Sequence, residues 1–347
     1  MRSAALILVS MVATAHAMDC TAVFTEPPKN IPSNVSTDAP LLGNGDFLAA
    51  LGGGPERLQF YLSKADLWTL NPMRARPWPL AQFRLDFPGM TGASYNVTQD
   101  LRRAITTGVF KKNGVTLTVE SAVAATDNIL WVQLSVTGGQ IDGKAELFCA
   151  DGKPAEKNGA VQVVERRYDE DTLRVTGAAC AFASPGSFIL KPGTPVVLRV
   201  AACGQANRSD YHDDAVIRSA QVCDLRELRR DHETWWADFW SKSFIEIPDK
   251  KLEQRYYLSH YCMASCSRLR HFPPGLYGWT LSEETPRWSG AYFNNYNLYA
   301  PFYGLYAANH IEQAMPCTDA VIGVISARLH EIILFSWYRQ LWPVSSA

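Results

Sequence analysis

The stretch Lys111-Lys112-Asn113-Gly114-Val115-Thr116-Leu117 places an Asn-Gly pair between two short runs that are typical of strands. Asn and Gly both tolerate the positive φ angles that a two-residue type I′ turn requires. The backbone twist of such a turn matches the twist of two paired strands. The stretch therefore predicts a tight antiparallel hairpin.

Short segments that alternate apolar and polar residues lie on both sides of this hairpin, with turn residues between them. Such alternation indicates strands with one buried and one exposed face. The clearest are Leu58–Leu62, Gln82–Phe87, Ile129–Leu134, Ala145–Cys149, Ala160–Glu165, Leu173–Gly177 and Pro195–Ala201. About ten or more strands without an intervening helical period predict a large N-terminal antiparallel β-sandwich, which we expect over residues 18–212.

The hydrophobic period changes to that of helices after about Asp213. We expect one long helix that ends before Pro248, a second helix that Asp249 caps, and a third that ends before Pro316. Their expected spans are Ala215–Trp240, Asp249–Met263 and Leu298–Glu312. This pattern predicts a helical linker over residues 213–247 and a further helical domain over residues 248–347.

Composition excludes several classes of function. The chain has 347 residues, of which 47% are hydrophobic and 19% charged, and its net charge is −1. This apolar content excludes a mostly disordered chain, and the near-neutral charge argues against a nucleic-acid partner, which would require a basic face. The spacing of His, Cys, Asp and Glu matches no metal site, and we expect no cofactor. The aromatic residues, 11% of the chain, suit contacts with the faces of sugars.

The N-terminus has the three parts of a secretory signal in order: Arg2, the apolar run Ala4–Ala13 and the small residues Ala15-His16-Ala17. We therefore expect residues 1–17 to be a signal peptide and the protein to be secreted. Asn34, Asn96 and Asn207 each begin a glycosylation sequon. A later apolar segment, Ala320–Trp342, contains Arg328, His330, Glu331 and Arg339, so we expect no transmembrane helix.

The eight cysteines do not define a disulfide framework. None of them forms a C-x-x-C pair, which disfavours a zinc ribbon or a thioredoxin-like motif. Cys262 and Cys266 are four residues apart, which places them on one face of the predicted second helix. They are either buried free thiols or members of disulfides, and the sequence does not define the disulfide pairing.

A glycine-rich segment, Gly43-Asn44-Gly45-Asp46, precedes the first long strand. A phosphate-binding loop would require Gly-Lys-Ser/Thr followed by a helix, and neither is present. The segment therefore predicts a tight turn between strands.

An aromatic loop is expected over residues 271–292, and long loops between packed elements are disproportionately functional. Tyr277, Trp279 and Trp288 are candidate sugar-binding residues, because an indole can stack on a pyranose ring; burial of the indoles against the sandwich is the alternative. Glu283 and Glu284 are adjacent, so they make a poor acid/base pair, and we interpret them as solvated charges.

Asn295 and Asn297 stand at the start of the predicted third helix. In an extended segment, side chains two apart point to the same side, so both amides could hold a water molecule or substrate hydroxyls. Helix capping is the alternative, since Asn also serves that role.

Several of these motifs, in order, resemble glycoside hydrolase family 95, the α-L-fucosidases, and its uncharacterised relatives. The first part is Pro40–Gly45 followed by Leu58–Trp68; the second is His232–Trp240, Pro274–Gly278, Trp288 and Asn295–Leu298. The order and spacing agree over about residues 38–316, and the first motif is closer to the uncharacterised relatives.

The resemblance implies a β-sandwich, a helical linker and the start of an (α/α)6 barrel. It implies an inverting hydrolase that removes a terminal sugar from a glycan or polysaccharide, with Asn295 and Asn297 positioning the attacking water. The family's catalytic Glu and Asp would fall beyond residue 347, so we expect an incomplete barrel and no turnover by this chain.

Two other functions stay open: a carbohydrate-binding protein without catalysis, and a pseudoenzyme whose exposed helices recruit another protein. An incomplete barrel would leave Trp235, Trp236, Phe302 and the run Ile332–Tyr338 without helices to pack against. The oligomeric state is not predicted.

Overall fold

The computed structural model describes residues 20–69, 76–169, 175–183, 186–205, 210–221, 224–278, 282–293 and 295–323. Its strands are β1 (Thr21–Phe24), β2 (Leu41–Gly43), β3 (Phe47–Gly54), β4 (Arg57–Thr69), β5 (Arg76–Asp86), β6 (Ser94–Asp100), β7 (Ile105–Lys112), β8 (Val115–Val123), β9 (Ile129–Thr137), β10 (Ile141–Cys149), β11 (Glu156–Asn158), β12 (Val161–Asp169), β13 (Val175–Ala183), β14 (Ser187–Leu190) and β15 (Val196–Gly204). Its helices are α1 (Tyr211–Ala220), α2 (Leu225–Ser241), α3 (Lys250–Cys266), α4 (Tyr296–Ala307) and α5 (residues 311–323).

The strands form two antiparallel sheets. The larger has the order β1-β6-β7-β8-β9-β15-β13-β12-β11, and the smaller has the order β14-β10-β5-β4-β3-β2. The predicted antiparallel β architecture with added helices is therefore confirmed. Every segment predicted as a strand overlaps an observed one.

The predicted hairpin joins β7 to β8, with Lys112 opposite Val115. Asn113 has φ +50° and Gly114 has φ +80°, the two positive values that a type I′ turn requires.

A continuous apolar core lies between the sheets. Inward-facing residues of the two layers meet directly: the ring of Phe83 on β5 contacts the ring of Phe182 on β13 edge-to-face, with 4.7 Å between their centroids. Both side chains are fully buried, and burial of one such ring stabilises the fold by about 1.5–3 kcal/mol.

α1 and α2 pack on the outer face of the larger sheet. Tyr211 and Ala215 of α1 contact the outer side of β13 and β15, and Leu225 of α2 packs beside Trp131 of β9. We predicted one long helix here, and that prediction was wrong. Gln221 has an extended backbone after α1, and the Asp224 carboxylate accepts a hydrogen bond from the Arg226 amide at 2.9 Å, which starts a new helix.

A cluster of aromatic residues, separate from the core between the sheets, joins α2 and α3 to one end of the sandwich. Trp236 lies 5.3 Å from the ring of Tyr261, nearly parallel to it, and both side chains are buried. Trp235 is half-buried and stacks on Phe239. Phe302 is 3% exposed and packs beside Leu305 and α5.

The expectation that Trp235, Trp236 and Phe302 lack packing partners was therefore wrong, because the sandwich and the nearby helices cover them. The run Ile332–Tyr338 lies outside the described residues.

The predicted third helix is two helices. Asn309 has φ +57°, a left-handed conformation that ends a helix, and it separates α4 from α5. Pro316 consequently lies within α5 rather than beyond the end of a helix. Whether these helices begin an (α/α)6 barrel stays a prediction, as do the domain boundaries.

Candidate functional site

A cleft of about 170 Å³ lies between α3, the start of α4 and the loop that connects them. Its lining consists mainly of apolar, aromatic and sulfur-containing side chains. These residues are Cys262, Met263, Cys266, Pro274, Gly275, Leu276, Gly278, Ala291, Tyr292, Phe293, Asn297, Leu298, Pro301 and Phe302.

Two close backbone segments form one wall of the cleft. The Leu276 amide donates to the carbonyl of Gly290 at 3.1 Å, and a Cβ at Gly275 would lie 2.0 Å from the same oxygen. Glycine is therefore required at position 275 by this close approach. The Tyr292 hydroxyl donates to the Pro273 carbonyl at 2.8 Å, and its ring lies 4.6 Å from Trp68 on β4. The two segments of the wall are thus held together by hydrogen bonds, and the wall also contacts the sandwich.

An ion pair fastens the same loop to the sandwich. Arg166 on β12 donates to both carboxylate oxygens of Glu284, and the Trp78 indole donates to Glu284 at 2.6 Å. The guanidinium of Arg166 lies 3.6 Å from the centroid of the Trp78 ring. The interpretation of Glu284 as a solvated charge was wrong, because a buried arginine of the sandwich binds it. The adjacent Glu283 is half-buried and does not take part in these bonds.

The two asparagines have different positions. Asn295 is exposed and caps α4, since its side chain accepts a hydrogen bond from the Asn297 amide at 3.0 Å. Asn297 lies in the first turn of the helix and lines the cleft. The expected extended segment is absent because α4 already begins at Tyr296, and capping, the alternative, is what Asn295 does here. The water-positioning role of both residues stays a prediction.

The three aromatic candidates do not form one platform in the described residues. Trp288 is 65% exposed and contacts Phe293 edge-to-face at 5.9 Å. Tyr277 is half-buried, and Trp279 lies outside the described residues. Trp288 is therefore not buried against the sandwich, and its stacking on a sugar stays a prediction.

The predicted turn Gly43–Asp46 is confirmed between β2 and β3. Asn44 accepts hydrogen bonds from the amides of Asp46 and Phe47, and Gly45 has φ +84°. The Gly45 amide donates to the Ser265 carbonyl at 2.7 Å, and the Arg268 amide donates back to the Gly45 carbonyl at 3.3 Å. The turn therefore joins the sandwich to the end of α3.

A buried charged cluster beside this turn was missed by sequence reasoning. The ammonium of Lys64, on β4, contacts the carboxylates of Asp46 and Asp66, and Asn128 donates to Asp46 at 2.7 Å. Burial disfavours the charged form of Lys64, but the two carboxylates outweigh it and raise its pKa. Lys64 and Asp66 stand two apart in β4, in a stretch that the apolar residues Leu62 and Leu67 flank, which was the available signal.

His232 joins α2 to two loops of the sandwich. Its Nδ1 accepts from the Ala125 amide at 3.1 Å, and its Nε2 lies 2.8 Å from the Arg103 carbonyl. Burial lowers the pKa of His232 to about 4. The ring is therefore neutral at pH 7, with its proton on Nε2.

Several other predictions concern the surface and the thiols. Asn34 and Asn96 are exposed, and Asn207 lies outside the described residues; their glycosylation stays a prediction. Among the cysteines in the described ranges, these are free thiols: Cys149, Cys180, Cys203, Cys262, Cys266 and Cys317. Within those ranges no group of three or more His, Cys, Asp or Glu side chains could hold a metal, and no helix has the length and hydropathy to cross a membrane.

No family model matches the chain, and no curated protein matches it. Among solved structures, it is similar to a protein from the human microbiome assigned as a kojibiose phosphorylase, with a TM-score of 0.57 and 14% identity over 82% of this chain and 46% of that one. A bacterial glucoamylase complexed with acarbose has a TM-score of 0.44 and 9% identity, over 89% of this chain and 54% of the other. A family GH92 α-mannosidase from Bacteroides thetaiotaomicron has a TM-score of 0.26 and 10% identity, over 67% and 39%.

The first likeness shows that the chain shares the fold of the matched part of that protein. The chain spans about half the length of the first two structures and about two fifths of the third.

Proposed function

We propose that this protein is a secreted, carbohydrate-active protein of the glycosidase type. The observation that carries the proposal is the fold shared over 82% of the chain with a protein assigned as a kojibiose phosphorylase. The cleft between the helices and the loop is the candidate site for one part of a glycoside, because it is concave and has one side-chain amide, that of Asn297, among apolar groups.

The finer proposal is an α-L-fucosidase-like hydrolase of the family 95 type, acting on a terminal sugar. The ordered motifs described above support it, and so does the position of Asn297 at the cleft. In this proposal Asn297 holds the attacking water by its amide, while Asn295 fixes the first turn of α4.

The position of the carboxylates relative to the cleft favours a second candidate function. Inverting hydrolysis requires a general acid and a general base about 6.5–9.5 Å apart. The cleft lining in the described part of the chain contains no carboxylate, and Glu284 is held by Arg166. This observation favours sugar binding without catalysis by the residues described here.

Hydrolysis and binding can be measured on the same protein. The mature chain, beginning at Met18, is assayed on aryl α-L-fucosides and titrated calorimetrically with methyl α-L-fucoside. Asn297→Ala is the test variant, and Asn295→Ser, which keeps a capping side chain, is the matched control.

Turnover that Asn297→Ala abolishes and Asn295→Ser retains would support the hydrolase. Saturable binding without turnover would support the second candidate. Neither binding nor turnover, for fucosides and for a panel of other glycosides, would contradict both.

Secretion has its own test. N-terminal sequencing of the exported protein should begin near Met18, and a retained Met1 on extracellular protein would contradict the proposed signal peptide.

A further inference from the structure

We infer that the cleft between α3 and α4 binds a neutral, ring-sized apolar group, and that its ligand is the aryl aglycone of a glycoside rather than the sugar ring. The inference rests on the proposed function for the attached sugar. Its evidence is the size, the charge and the chemical lining of the cleft.

The size of the cleft fits a single six-membered ring. Its volume is about 170 Å³. An apolar cavity of about 150 Å³ in a protein interior accommodates benzene. A disaccharide would not fit, so at most one ring of a glycoside enters.

The lining does not suit a ring that carries several hydroxyl groups. Its described residues include no Asp, Glu, Lys, Arg or His. The Tyr292 hydroxyl is already used on the Pro273 carbonyl, which leaves the Asn297 amide as the side-chain amide facing the cleft. Most of the lining surface is apolar, so a pyranose inside would exchange water for few hydrogen-bond partners, which is unfavourable.

The same lining favours an aromatic ligand. Cys262, Met263 and Cys266 place three sulfur atoms on the α3 side, and Phe302 adds a ring from α4. Thioether and thiol sulfur make favourable contacts with aromatic rings. Burial raises the pKa of Cys262 to about 11, so this thiol is neutral at pH 7 and adds no charge.

Three probes separate the ring from the sugar. The mature chain is titrated calorimetrically with phenyl α-L-fucoside, methyl α-L-fucoside and p-cresol, which has no sugar. We expect saturable binding of p-cresol and affinity for the phenyl glycoside at least about tenfold above that for the methyl glycoside, because the methyl group leaves most of the apolar wall uncovered. Equal affinities for the two glycosides, or no binding of p-cresol, would overturn the inference.

Filling the cleft locates the site. Cys262→Phe places a ring in the cleft from α3, and Ala291→Phe does so from the opposite wall. Leu258→Phe, on the exposed face of α3, is the matched control for Cys262→Phe. Circular dichroism identifies which variants fold. Because the two substitutions fill the cleft from different walls, the second still tests the site if the first does not fold.

We expect either filling to abolish p-cresol binding and the preference for the phenyl glycoside, with Leu258→Phe unchanged. Retention of the tenfold preference in a folded filled variant would overturn the location. Binding of p-cresol alone, with neither glycoside bound, would support the apolar site and contradict the proposed function.

Discussion

Arg166 donates to both carboxylate oxygens of Glu284, at 2.8 and 3.1 Å, across 118 residues of sequence. The arginine lies on β12 and its side chain is 8% exposed, whereas the glutamate belongs to the loop that leads to the cleft. A bidentate pair fixes orientation as well as distance. The sandwich therefore determines the position of the cleft wall.

We expect Glu284→Gln to destabilise the protein by about 1–3 kcal/mol, because it removes a charged acceptor from a buried guanidinium. Glu283→Gln is the matched control, because Glu284, and not Glu283, accepts the hydrogen bonds from Arg166 and Trp78. Urea unfolding of both variants gives the free energies. Equal stability of the two variants would contradict the proposed importance of the pair.

We expect Lys64→Met to destabilise the protein by about 3–5 kcal/mol. The substitution removes the ammonium that lies between the buried carboxylates of Asp46 and Asp66, and loss of one partner of a buried ion pair is strongly destabilising. Lys144→Met is the control, because Lys144 pairs with Glu146 on the surface and such pairs contribute about 1 kcal/mol or less. Thermal unfolding monitored by circular dichroism compares them, and a loss below 1 kcal/mol for Lys64→Met would show that the cluster relaxes or admits water.

The stability of the protein should fall on acidification because of His232. Burial lowers its pKa in the folded protein to about 4, below the ordinary value of 6.5, so the unfolded chain binds the proton more readily. The contribution is complete above pH 6.5 and is lost as the pH falls from there through about 4. Between pH 7 and 4.5 we expect a loss of about 2–3 kcal/mol from this residue.

The comparison that isolates this effect is His232→Asn against His212→Asn. His212 lies near the surface beside Asp213 and serves as the control. Urea unfolding at pH 7 and 4.5 should show a smaller pH dependence for His232→Asn than for the natural protein, with His212→Asn unchanged. An unaltered pH dependence in His232→Asn would assign the acid sensitivity to other groups.

We expect Trp236→Ala to cost about 3–5 kcal/mol, as is typical for truncation of a large buried side chain. The indole is fully buried against Tyr261 and Phe239. Trp288→Ala should change the unfolding free energy by about 0.5 kcal/mol or less, because its ring is mostly exposed. Equal effects in differential scanning calorimetry would contradict the packing described here.

Local patterns predicted the elements that depend on neighbouring residues. The hairpin at Asn113 and Gly114 could be predicted because the turn's φ angles are a property of those two residues. The strands could be predicted from the alternation of apolar and polar residues, because a strand with one buried face requires that alternation. The cap at Asp249 also followed, and it accepts from the amides of Lys251 and Leu252.

Features that depend on distant residues could not be predicted. Glu284 has the sequence context of a loop charge, and nothing near it indicates Arg166. The break between α1 and α2 could not be predicted, because the sequence does not say whether Asp224 continues a helix or caps a new one. Trp236 was expected to lack packing partners because the barrel was expected to be incomplete. No local signal indicated the sandwich surface that covers it, at Leu101 and Ala104, because that surface is more than 130 residues away in sequence.

The hydroxyl of Tyr261 on α3 donates to the Leu41 carbonyl of β2 at 2.6 Å, across 220 residues. β2 is the last strand of the smaller sheet, and α3 covers its outer edge together with Gln99 of β6, whose side chain donates to the same carbonyl. A ribosome adds about 5–20 residues per second. During synthesis, Tyr261 is therefore added roughly 10–40 s after Leu41, and the outer edge of β2 lacks its helical cover for that time.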